Sequence, residues 1–378
     1  MPDVLIVADT IRSPELRHEV PIDIGDPFLY AEVGGVRHAV VSALEVSRVE
    51  GLADDLAVHT FEEYDYESLL AQGLGSHELW PALWVSVAEK LGLTDAVVPA
   101  AFPLAHAEKL REAGVELRVD QPFFDARRRV KNEVELEGIR RACGAVQAGM
   151  ARAVEMLRAA DRSNGGLTLE GEPLTCERIR AELERVFGEK GAVADSFTVS
   201  RGAQTAIGHD PGSGQILDGD TVLLDLYPRD RDTACFADFT RTVTVGPPSE
   251  EIALYHRLSK EALELAVGMV RPGVDGRDIH RAVCDYFHEH GQKTQLHKEP
   301  GEVLKDGYFH GTGHGVGLEV HEEPSLGRLG GKLVAGDVVA VEPGLYRHGY
   351  GGVRLEDLIL VTEHGAEVLT DFPYDLEL

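Results

Sequence analysis

Residues 308–324 combine several side-chain types that can do chemistry. The stretch reads YFHGTGHGVGLEVHEEP and contains three histidines and three glutamates. Histidine is a common metal ligand and acts as an acid or base near neutral pH. Glycines at 311, 313, 315 and 317 remove side chains where a backbone must pass close to another group. The stretch therefore predicts a strand-built active site that holds metal, provided that carboxylates come from elsewhere in the chain.

Two aspartates lie in a predicted hairpin between Thr221 and Val245. Asp225 ends an apolar strand-like run, and Asp238 is carried by a second strand after a polar turn. Side chains on one face of neighbouring strands bring their Cβ atoms to about 4.5–5.5 Å from each other, so two inward carboxylates could share a cation. An aspartate in an apolar strand also needs a charged partner or a metal, because burying an unpaired carboxylate is costly.

Two glutamates occur in similar apolar runs further along the chain. Glu342 follows the strand-like residues VVAV, and Glu356 precedes the apolar residues 358–360. Each acid alone could simply pair with an arginine such as Arg354 or Arg241. Four acids and one histidine, each at an apolar strand, instead favour one shared site. Carboxylate oxygens with one imidazole suit Mn²⁺, Co²⁺, Fe²⁺ or Zn²⁺ in a two-metal site.

Length and composition limit the class of the protein. A chain of 378 residues favours two domains. The net charge of −28 argues against a nucleic acid or an anionic membrane as partner, since both attract basic surfaces. Four scattered cysteines fit free thiols better than a disulfide frame. No apolar run approaches the roughly 20 residues needed to cross a membrane, and no leader is evident, so we expect a cytoplasmic protein.

The pattern of predicted elements changes near residue 125. The preceding residues alternate strand and helix patterns, with a strand at 4–8, a hairpin at 27–42 and a helix at 76–91. A long helix is then predicted from about 131 to 160, and a second from 176 to 189 with Thr175 as its N-cap. Strands dominate from residue 195 onward, broken by helices at 249–270 and 277–290. We therefore predict an α/β domain over residues 1–125 and an α+β domain over residues 126–378.

Several segments of the second domain resemble signatures of the pita-bread metallopeptidases, a family that includes methionine aminopeptidase, aminopeptidase P and prolidase. The matching segments are ADFTRT, HGTGHGVGLEVHEEP, VEPGLY and VRLEDLILVT. The first domain resembles the N-terminal domain of the prolidase, aminopeptidase P and creatinase branch. This resemblance implies a creatinase/prolidase-type domain over 1–125, a pita-bread catalytic domain over 126–378, and a homodimer.

The resemblance implies a role for each acid. In order along the chain, the five metal ligands of the family match Asp225, Asp238, His314, Glu342 and Glu356. Asp225 would bind one ion alone, whereas Asp238 and Glu356 would bridge two ions. His314 and Glu342 would complete the second ion. Mn²⁺ is the expected metal, with Co²⁺, Fe²⁺ and Zn²⁺ as alternatives. A water shared by the ions would attack the scissile carbonyl, and Glu342 would carry its proton to the leaving nitrogen.

Further residues are assigned to the substrate by the same resemblance. His321 matches a histidine that steadies the carbonyl oxygen or the tetrahedral intermediate. His209 matches a histidine near the leaving group, and His310 a pocket histidine that contacts substrate. Arg354, two residues before Glu356 and on the same face of its strand, would brace a ligand carboxylate or contact substrate.

The hairpin at Asp225 departs from the family pattern. Prolidases and methionine aminopeptidases typically have a small residue and a glycine after this aspartate, and a shorter turn. Here Leu226, Tyr227 and Pro228 follow, and the turn is two residues longer. Tyr227 would lie close to the metals, where it would reshape the pocket as a substrate contact.

We expect a metallopeptidase that hydrolyses the peptide bond before proline in small peptides, either as a Xaa-Pro dipeptidase or as a Xaa-Pro aminopeptidase. The altered hairpin leaves open a different small amide or acid as substrate for the same metal site. A non-catalytic binding protein is a further alternative, against which the complete ligand set argues. No nucleic-acid or membrane partner is expected.

Overall fold

Two compact units, Met1–Arg128 and Arg129–Leu378, make up the computed structural model. It describes residues 2–163 and 165–378. The assignment of residues 1–125 to a creatinase/prolidase-type domain and of residues 126–378 to a pita-bread catalytic domain stays a prediction. The four cysteines are buried and form no disulfide, which confirms the prediction of free thiols.

A six-stranded sheet forms the centre of the first unit. Its order is β4-β3-β2-β1-β5-β6, with antiparallel β1–β2 and β2–β3 pairs and parallel pairs elsewhere. The strands are β1 (Val4–Ala8), β2 (Phe28–Val33), β3 (Val36–Val41), β4 (Leu56–Thr60), β5 (Asp95–Val98) and β6 (Glu116–Val119). The helices are α1 (Pro14–Glu19), α2 (Val46–Val49), α3 (Tyr66–Ala71), α4 (Ser76–Leu91), α5 (Leu104–Glu112) and α6 (Gln121–Arg129).

Both faces of the sheet are buried at β1 and β2, which explains why these strands read as apolar runs. Successive side chains of a strand point to opposite faces. Leu5 and Val7 accordingly join one apolar cluster, whereas Val4 and Ile6 join the other. The predicted hairpin is confirmed as β2–β3, whose two-residue turn places both glycines at positive φ.

The second unit holds the remaining elements. Its helices are α7 (Glu133–Ala159), α8 (Cys176–Glu189), α9 (Glu250–Met269) and α10 (Gly276–Glu289). Its strands are β7 (Asp161–Ser163), β8 (Gly166–Leu169), β9 (Glu172–Pro173), β10 (Ala192–Val193), β11 (Thr198–Arg201), β12 (Thr221–Leu226), β13 (Arg229–Asp230), β14 (Phe239–Thr244), β15 (Gly313–Gly315), β16 (Glu322–Leu326), β17 (Val338–Val341), β18 (Gly344–Arg347), β19 (Gly351–Arg354), β20 (Asp357–Thr362) and β21 (Gly365–Val368).

Side-chain caps begin the four helices where the sequence predicts them. Asn132, Thr175, Ser249 and Asp275 each accept a hydrogen bond from a backbone N–H in the first helical turn. Such caps satisfy donors that have no partner within the helix. The predicted N-cap at Thr175 is thereby confirmed. No helix in the described part of the chain is long and apolar enough to span a membrane.

Two sheets of the second unit carry the candidate site. One has the order β11-β12-β14, and the other has the order β16-β15-β17-β20-β21. In β17, Val338 and Ala340 pack in the apolar cluster that contains α7 and α8. Val339 and Val341 pack in the cluster that contains α9 and α10. The five-stranded sheet is therefore covered by a helical layer on each face.

Candidate metal centre and active site

The β12–β14 pairing positions the two aspartates. Asp225 is the fifth residue of β12 and pairs with Thr240 of β14. Asp238 immediately precedes β14, two residues before Thr240, which is the spacing of side chains on one face of a strand. Both carboxylates are buried.

His314 enters the site from β15, where glycines allow a close backbone approach. A Cβ at Gly313 would lie 1.8 Å from the carbonyl oxygen of Ala340, and one at Gly315 would lie 2.3 Å from that of Glu323. Only glycine fits at these two positions, because such contacts are far below van der Waals distance. The predicted purpose of these glycines is thus confirmed.

The lone pair of His314 Nε2 faces two carboxylates. Its Nδ1–H donates to the carbonyl of Gly315 at 3.1 Å, which leaves Nε2 unprotonated in the neutral ring. Nε2 lies 3.7 Å from Asp238 Oδ2 and 3.8 Å from Glu342 Oε1. These distances exceed hydrogen-bond length. Burial lowers the pKa of His314 to about 4, so the ring is neutral at pH 7.

Asp238, His314 and Glu356 form the tightest group of potential ligands among the described residues. One ligand atom from each lies within 4.8 Å of the other two. Glu356 immediately precedes β20, and its backbone N–H donates to the carbonyl of Thr240 at 3.1 Å. Glu342 follows β17 and donates its N–H to Thr312 at 2.8 Å. Asp225 and Glu342 lie outside the tightest group but line the same cavity.

Arg354 and Thr240 contact the carboxylates of Asp225, Glu342 and Glu356. Arg354 Nη2 forms a short buried ion pair with Asp225 Oδ2, and its Nε lies 3.9 Å from Glu342 Oε2. The hydroxyl of Thr240 lies 2.6 Å from Glu356 Oε2 and 3.1 Å from Asp225 Oδ1. One arginine and one hydroxyl therefore hold three of the four acids.

The electrostatics of Asp238, Glu342 and Glu356 fit a divalent cation. Burial, followed by the charges of neighbouring carboxylates, raises the pKa values of Asp238 and Glu356 well above their usual range. Burial likewise raises the pKa of Glu342 to about 7, although Arg354 opposes the shift. Asp238 Oδ1 is buried without a hydrogen-bond partner. A buried carboxylate is normally paired or bound to metal, so this donor set fits the predicted ions.

All ten predicted site residues line one cavity of about 830 Å³ in the second unit. The cavity walls also include Phe309, Val320 and three glycines. The ten residues are His209, Asp225, Tyr227, Asp238, His310, His314, His321, Glu342, Arg354 and Glu356. The structure thus brings the predicted residues together, while their individual roles remain proposals.

The histidines differ in their environments. His310 donates from Nδ1 to the carbonyl of Gly311 at 2.8 Å, and its Nε2 accepts from the hydroxyl of Tyr346 at 2.9 Å. Burial lowers the pKa of His310 to about 3. The rings of His321 and His314 meet edge to face, with centroids 4.1 Å apart. Partial burial, and then the charge of His209, lowers the pKa of His321.

Sequence reasoning missed Tyr346 and Thr240. Tyr346 is fully buried and joins His310 to Arg354, whose Nη1 donates to its hydroxyl at 3.3 Å. A Cβ at Gly344 would lie 2.5 Å from the Tyr346 hydroxyl, and one at Gly352 would lie 2.4 Å from the Tyr346 ring. The available signal was strand periodicity: Thr240 lies two residues after Asp238.

The long turn after Asp225 is a structured element. Arg141 of α7 donates two hydrogen bonds of 2.9 Å to Asp230, and β13 pairs with β10. The N–H of Phe236 donates to the carbonyl of Gly317 at 2.8 Å. Tyr227, at the start of the turn, donates to Ser196 at 3.3 Å. The departure from the family pattern is therefore a fixed element that contributes Tyr227 to the cavity wall.

A family model and several curated relatives match this chain. The model of metallopeptidase family M24 matches residues 137–363. An uncharacterized peptidase YqhT of Bacillus subtilis is 35% identical over 202 residues, which cover 52% of this chain and 53% of that protein. The Xaa-Pro dipeptidase of Pyrococcus furiosus is 29% identical over 257 residues, which cover 67% of this chain and 66% of that protein. The chain thus spans about half the length of one relative and just under two thirds of the other.

Solved structures resemble the chain over nearly its whole length. A Xaa-Pro dipeptidase from Bacillus anthracis has a TM-score of 0.78 at 24% identity, with 100% of this chain and 95% of that chain covered. An X-Pro aminopeptidase from Thermotoga maritima also has a TM-score of 0.78, at 21% identity, with coverage of 99% and 97%. The predicted fold class, an α/β unit followed by an α+β pita-bread unit, is confirmed. The chain belongs to the metallopeptidase family M24.

Proposed function

We propose that this protein is a two-metal peptidase that cleaves the bond before proline, as a Xaa-Pro dipeptidase or a Xaa-Pro aminopeptidase. The observation that carries the proposal is the group Asp238, His314 and Glu356, with its unpartnered carboxylate oxygen, at the base of a histidine-lined cavity. Relatives and solved neighbours named Xaa-Pro dipeptidase and X-Pro aminopeptidase support the substrate class.

Five side chains would hold the two ions, with Mn²⁺ as the proposed metal and Co²⁺, Fe²⁺ or Zn²⁺ as alternatives. The proposed ligands are Asp225, Asp238, His314, Glu342 and Glu356. The ions would act as Lewis acids that lower the pKa of an attacking water and offset the charge developing on the carbonyl oxygen. Arg354 would orient Asp225, since it pairs with that carboxylate inside the cavity wall.

Glu342 is the proposed proton carrier. Its carboxylate lines the cavity and keeps about a fifth of its surface exposed, so a water can reach it. It would take the proton of the attacking water and give it to the leaving nitrogen. His321 would donate a hydrogen bond to the carbonyl oxygen as negative charge builds there.

His209 and His310 are proposed to bind the substrate on either side of the reacting bond. His209 is exposed on the cavity wall, where it would contact the leaving group. His310 is held in one orientation by Gly311 and Tyr346, so it presents a fixed ring rather than a mobile one. Fixed contacts of this kind lower the entropic cost of positioning a substrate.

The proposal is tested by peptide hydrolysis with defined metals. Metal-depleted protein is reloaded with Mn²⁺ and given Xaa-Pro, Xaa-Pro-Yaa and matched Xaa-Ala peptides. We expect release of the N-terminal residue, with kcat/KM at least about 10-fold higher for proline substrates than for alanine ones, equivalent to about 1.4 kcal/mol. Glu356→Gln is the inactive control for contaminating peptidases. Equal turnover by wild type and control, or no proline preference, would contradict the proposal.

A different small amide or acid is the second candidate substrate, because Tyr227 and the fixed turn alter the cavity wall. The Mn²⁺-loaded protein is given a panel of non-peptide amides beside the proline peptides. Turnover of an amide with negligible Xaa-Pro cleavage would favour this candidate. We further propose a homodimer that acts in the cytoplasm on small peptides, with neither nucleic acid nor membrane as partner. Sedimentation of the purified protein tests the dimer.

A further inference from the structure

Arg241 of β14 is buried behind the metal centre with all five of its N–H groups used. Its side chain is 2% exposed. Nη1 donates to the carbonyls of Glu356 (2.7 Å) and Thr240 (3.1 Å). The other N–H groups donate to Phe372 O (2.9 Å), Pro373 O (3.1 Å) and Asp357 Oδ1 (3.0 Å). One guanidinium therefore joins the strands that carry the acids to the segment after β21.

Aromatic rings pack against Arg241, and residues of the C-terminal segment hold its acceptor Asp357 in place. The guanidinium carbon lies 4.3 Å from the ring centroid of Phe239 and 4.1 Å from that of Tyr374, so an aromatic ring covers each face. Tyr374 donates its hydroxyl to Asp357 Oδ2, and Thr370 donates to Asp357 Oδ1 at 3.0 Å. We call Arg241, Asp357, Thr370 and Tyr374 the C-terminal clamp.

The clamp holds the backbone of residues whose side chains face the metal centre. Arg241 binds the carbonyls of Thr240 and Glu356, and the side chains of these same two residues meet at 2.6 Å. Asp357 adjoins Glu356 and points to the opposite face of the strand. A change in the clamp is therefore transmitted through one residue of backbone to a proposed ligand of both ions.

Four acids that converge without a cation repel one another, so the protein must hold them in place before metal arrives. We propose that the C-terminal clamp is a positioning device for the metal centre, which sets the affinity for metal by fixing the backbone of Glu356. This inference rests on the proposed function only in taking Glu356 as a ligand. Residues that orient a ligand typically change metal affinity or activity by about 10–100-fold when altered.

The clamp is tested with Tyr374→Phe, which removes one hydroxyl and keeps the ring over Arg241. Calorimetric titration of the metal-depleted protein with Mn²⁺ should give an affinity about 10-fold weaker than that of wild type, the lower end of the range for such partners. With peptide, kcat at saturating Mn²⁺ should fall while KM changes by less than about 2-fold, because the clamp lies outside the cavity walls.

Tyr286→Phe is the matched control, because Tyr286 also donates its hydroxyl to a carboxylate, that of Glu261, on α10 and α9. It should leave Mn²⁺ affinity unchanged. A purely structural role predicts that both variants lower the melting temperature alike and bind Mn²⁺ as wild type does, and this result would overturn the proposal. So would a wild type that binds no Mn²⁺.

A second variant is expected to change the Mn²⁺ affinity by a larger factor. Arg241→Lys keeps the charge but loses the planar set of donors, so it should weaken Mn²⁺ binding more than Tyr374→Phe does. Near-wild-type affinity in folded Arg241→Lys would overturn the proposal. If wild type binds Mn²⁺ yet cleaves no peptide, the proposed function fails while the affinity measurements still decide the role of the clamp.

Discussion

Glu356 and Asp357 are neighbouring buried carboxylates with opposite surroundings. Asp357 accepts from Arg241, Thr370 and Tyr374, so its charge is matched within the protein. Glu356 faces other acids, and its burial, followed by their charges, raises its pKa. Two adjacent residues thus hold a carboxylate that is matched within the protein and one that we propose binds a cation.

The two arginines near these carboxylates, Arg241 and Arg354, also differ in their surroundings. Arg241 donates mostly to backbone carbonyls and carries aromatic rings on both faces, which suits a fixed joint. Arg354 reaches into the cavity, where it pairs with Asp225 and bonds to Tyr346. Buried ion pairs are weak evidence for stability, so the crowded carboxylates, rather than either ion pair, distinguish the proposed metal side.

The largest effect is expected for Asp238→Asn on the unmatched side. Loss of a ligand that would bridge both ions removes several kcal/mol of catalytic stabilisation, so kcat/KM should fall at least about 1000-fold. The free energy of unfolding of metal-free protein should not decrease, because the substitution relieves repulsion between buried acids. Peptide kinetics and urea unfolding in chelator measure the two quantities. A large loss in the free energy of unfolding of the metal-free protein would contradict the distinction between matched and unmatched carboxylates.

Asp357→Asn tests the matched side and should instead lower the free energy of unfolding of the metal-free protein. It leaves the Arg241 guanidinium buried without a counter-charge, which costs about 3 kcal/mol or more of unfolding free energy. The loss should persist in the absence of metal, and urea unfolding in chelator measures it. A stability equal to that of wild type would show that Arg241 is satisfied by carbonyls and rings alone.

The sequence predicted the residues of the cavity better than it predicted the contacts around Arg241. The acids at strand ends and the glycine-rich histidine segment are local signals that predicted a shared metal site, whereas the family resemblance added the substrate residues. All ten residues line one cavity in the structure. Sequence reasoning treated Arg241 only as a salt-bridge candidate, since its acceptors are backbone carbonyls from distant segments. Register also escaped prediction: Asp225 pairs with Thr240, because the inserted turn adds a short strand before Asp238.

The pH dependence of metal-free stability offers a finer test of the unmatched side. Glu342 has a raised pKa of about 7 in the folded protein, so its contribution to stability is present near pH 4.5 and is lost as pH rises to about 7. Relative to Glu342→Gln, wild type should therefore lose roughly 1–3 kcal/mol over this interval and then level off. The paired difference cancels the buried histidines, whose lowered pKa values act in the opposite direction.

Urea unfolding of both proteins in chelator from pH 4.5 to 8 gives this difference. Saturating Mn²⁺ should abolish the loss of stability with rising pH, since a bound cation keeps the carboxylate ionised. A difference that is independent of pH without metal would mean that Glu342 is already matched by Arg354, in which case it belongs with Asp357 on the satisfied side.

The smallest effect is expected for Tyr227→Phe in the turn that distinguishes this chain. The hydroxyl makes one hydrogen bond of 3.3 Å to an exposed serine, so its loss should change kcat/KM by about 2-fold or less. Tyr227→Gly removes the ring from the cavity wall and should instead raise KM for small substrates while widening the accepted range. Kinetics on the proline and amide series compares the two variants. Identical profiles for Tyr227→Gly and wild type would remove the turn from substrate selection and leave specificity to the histidines.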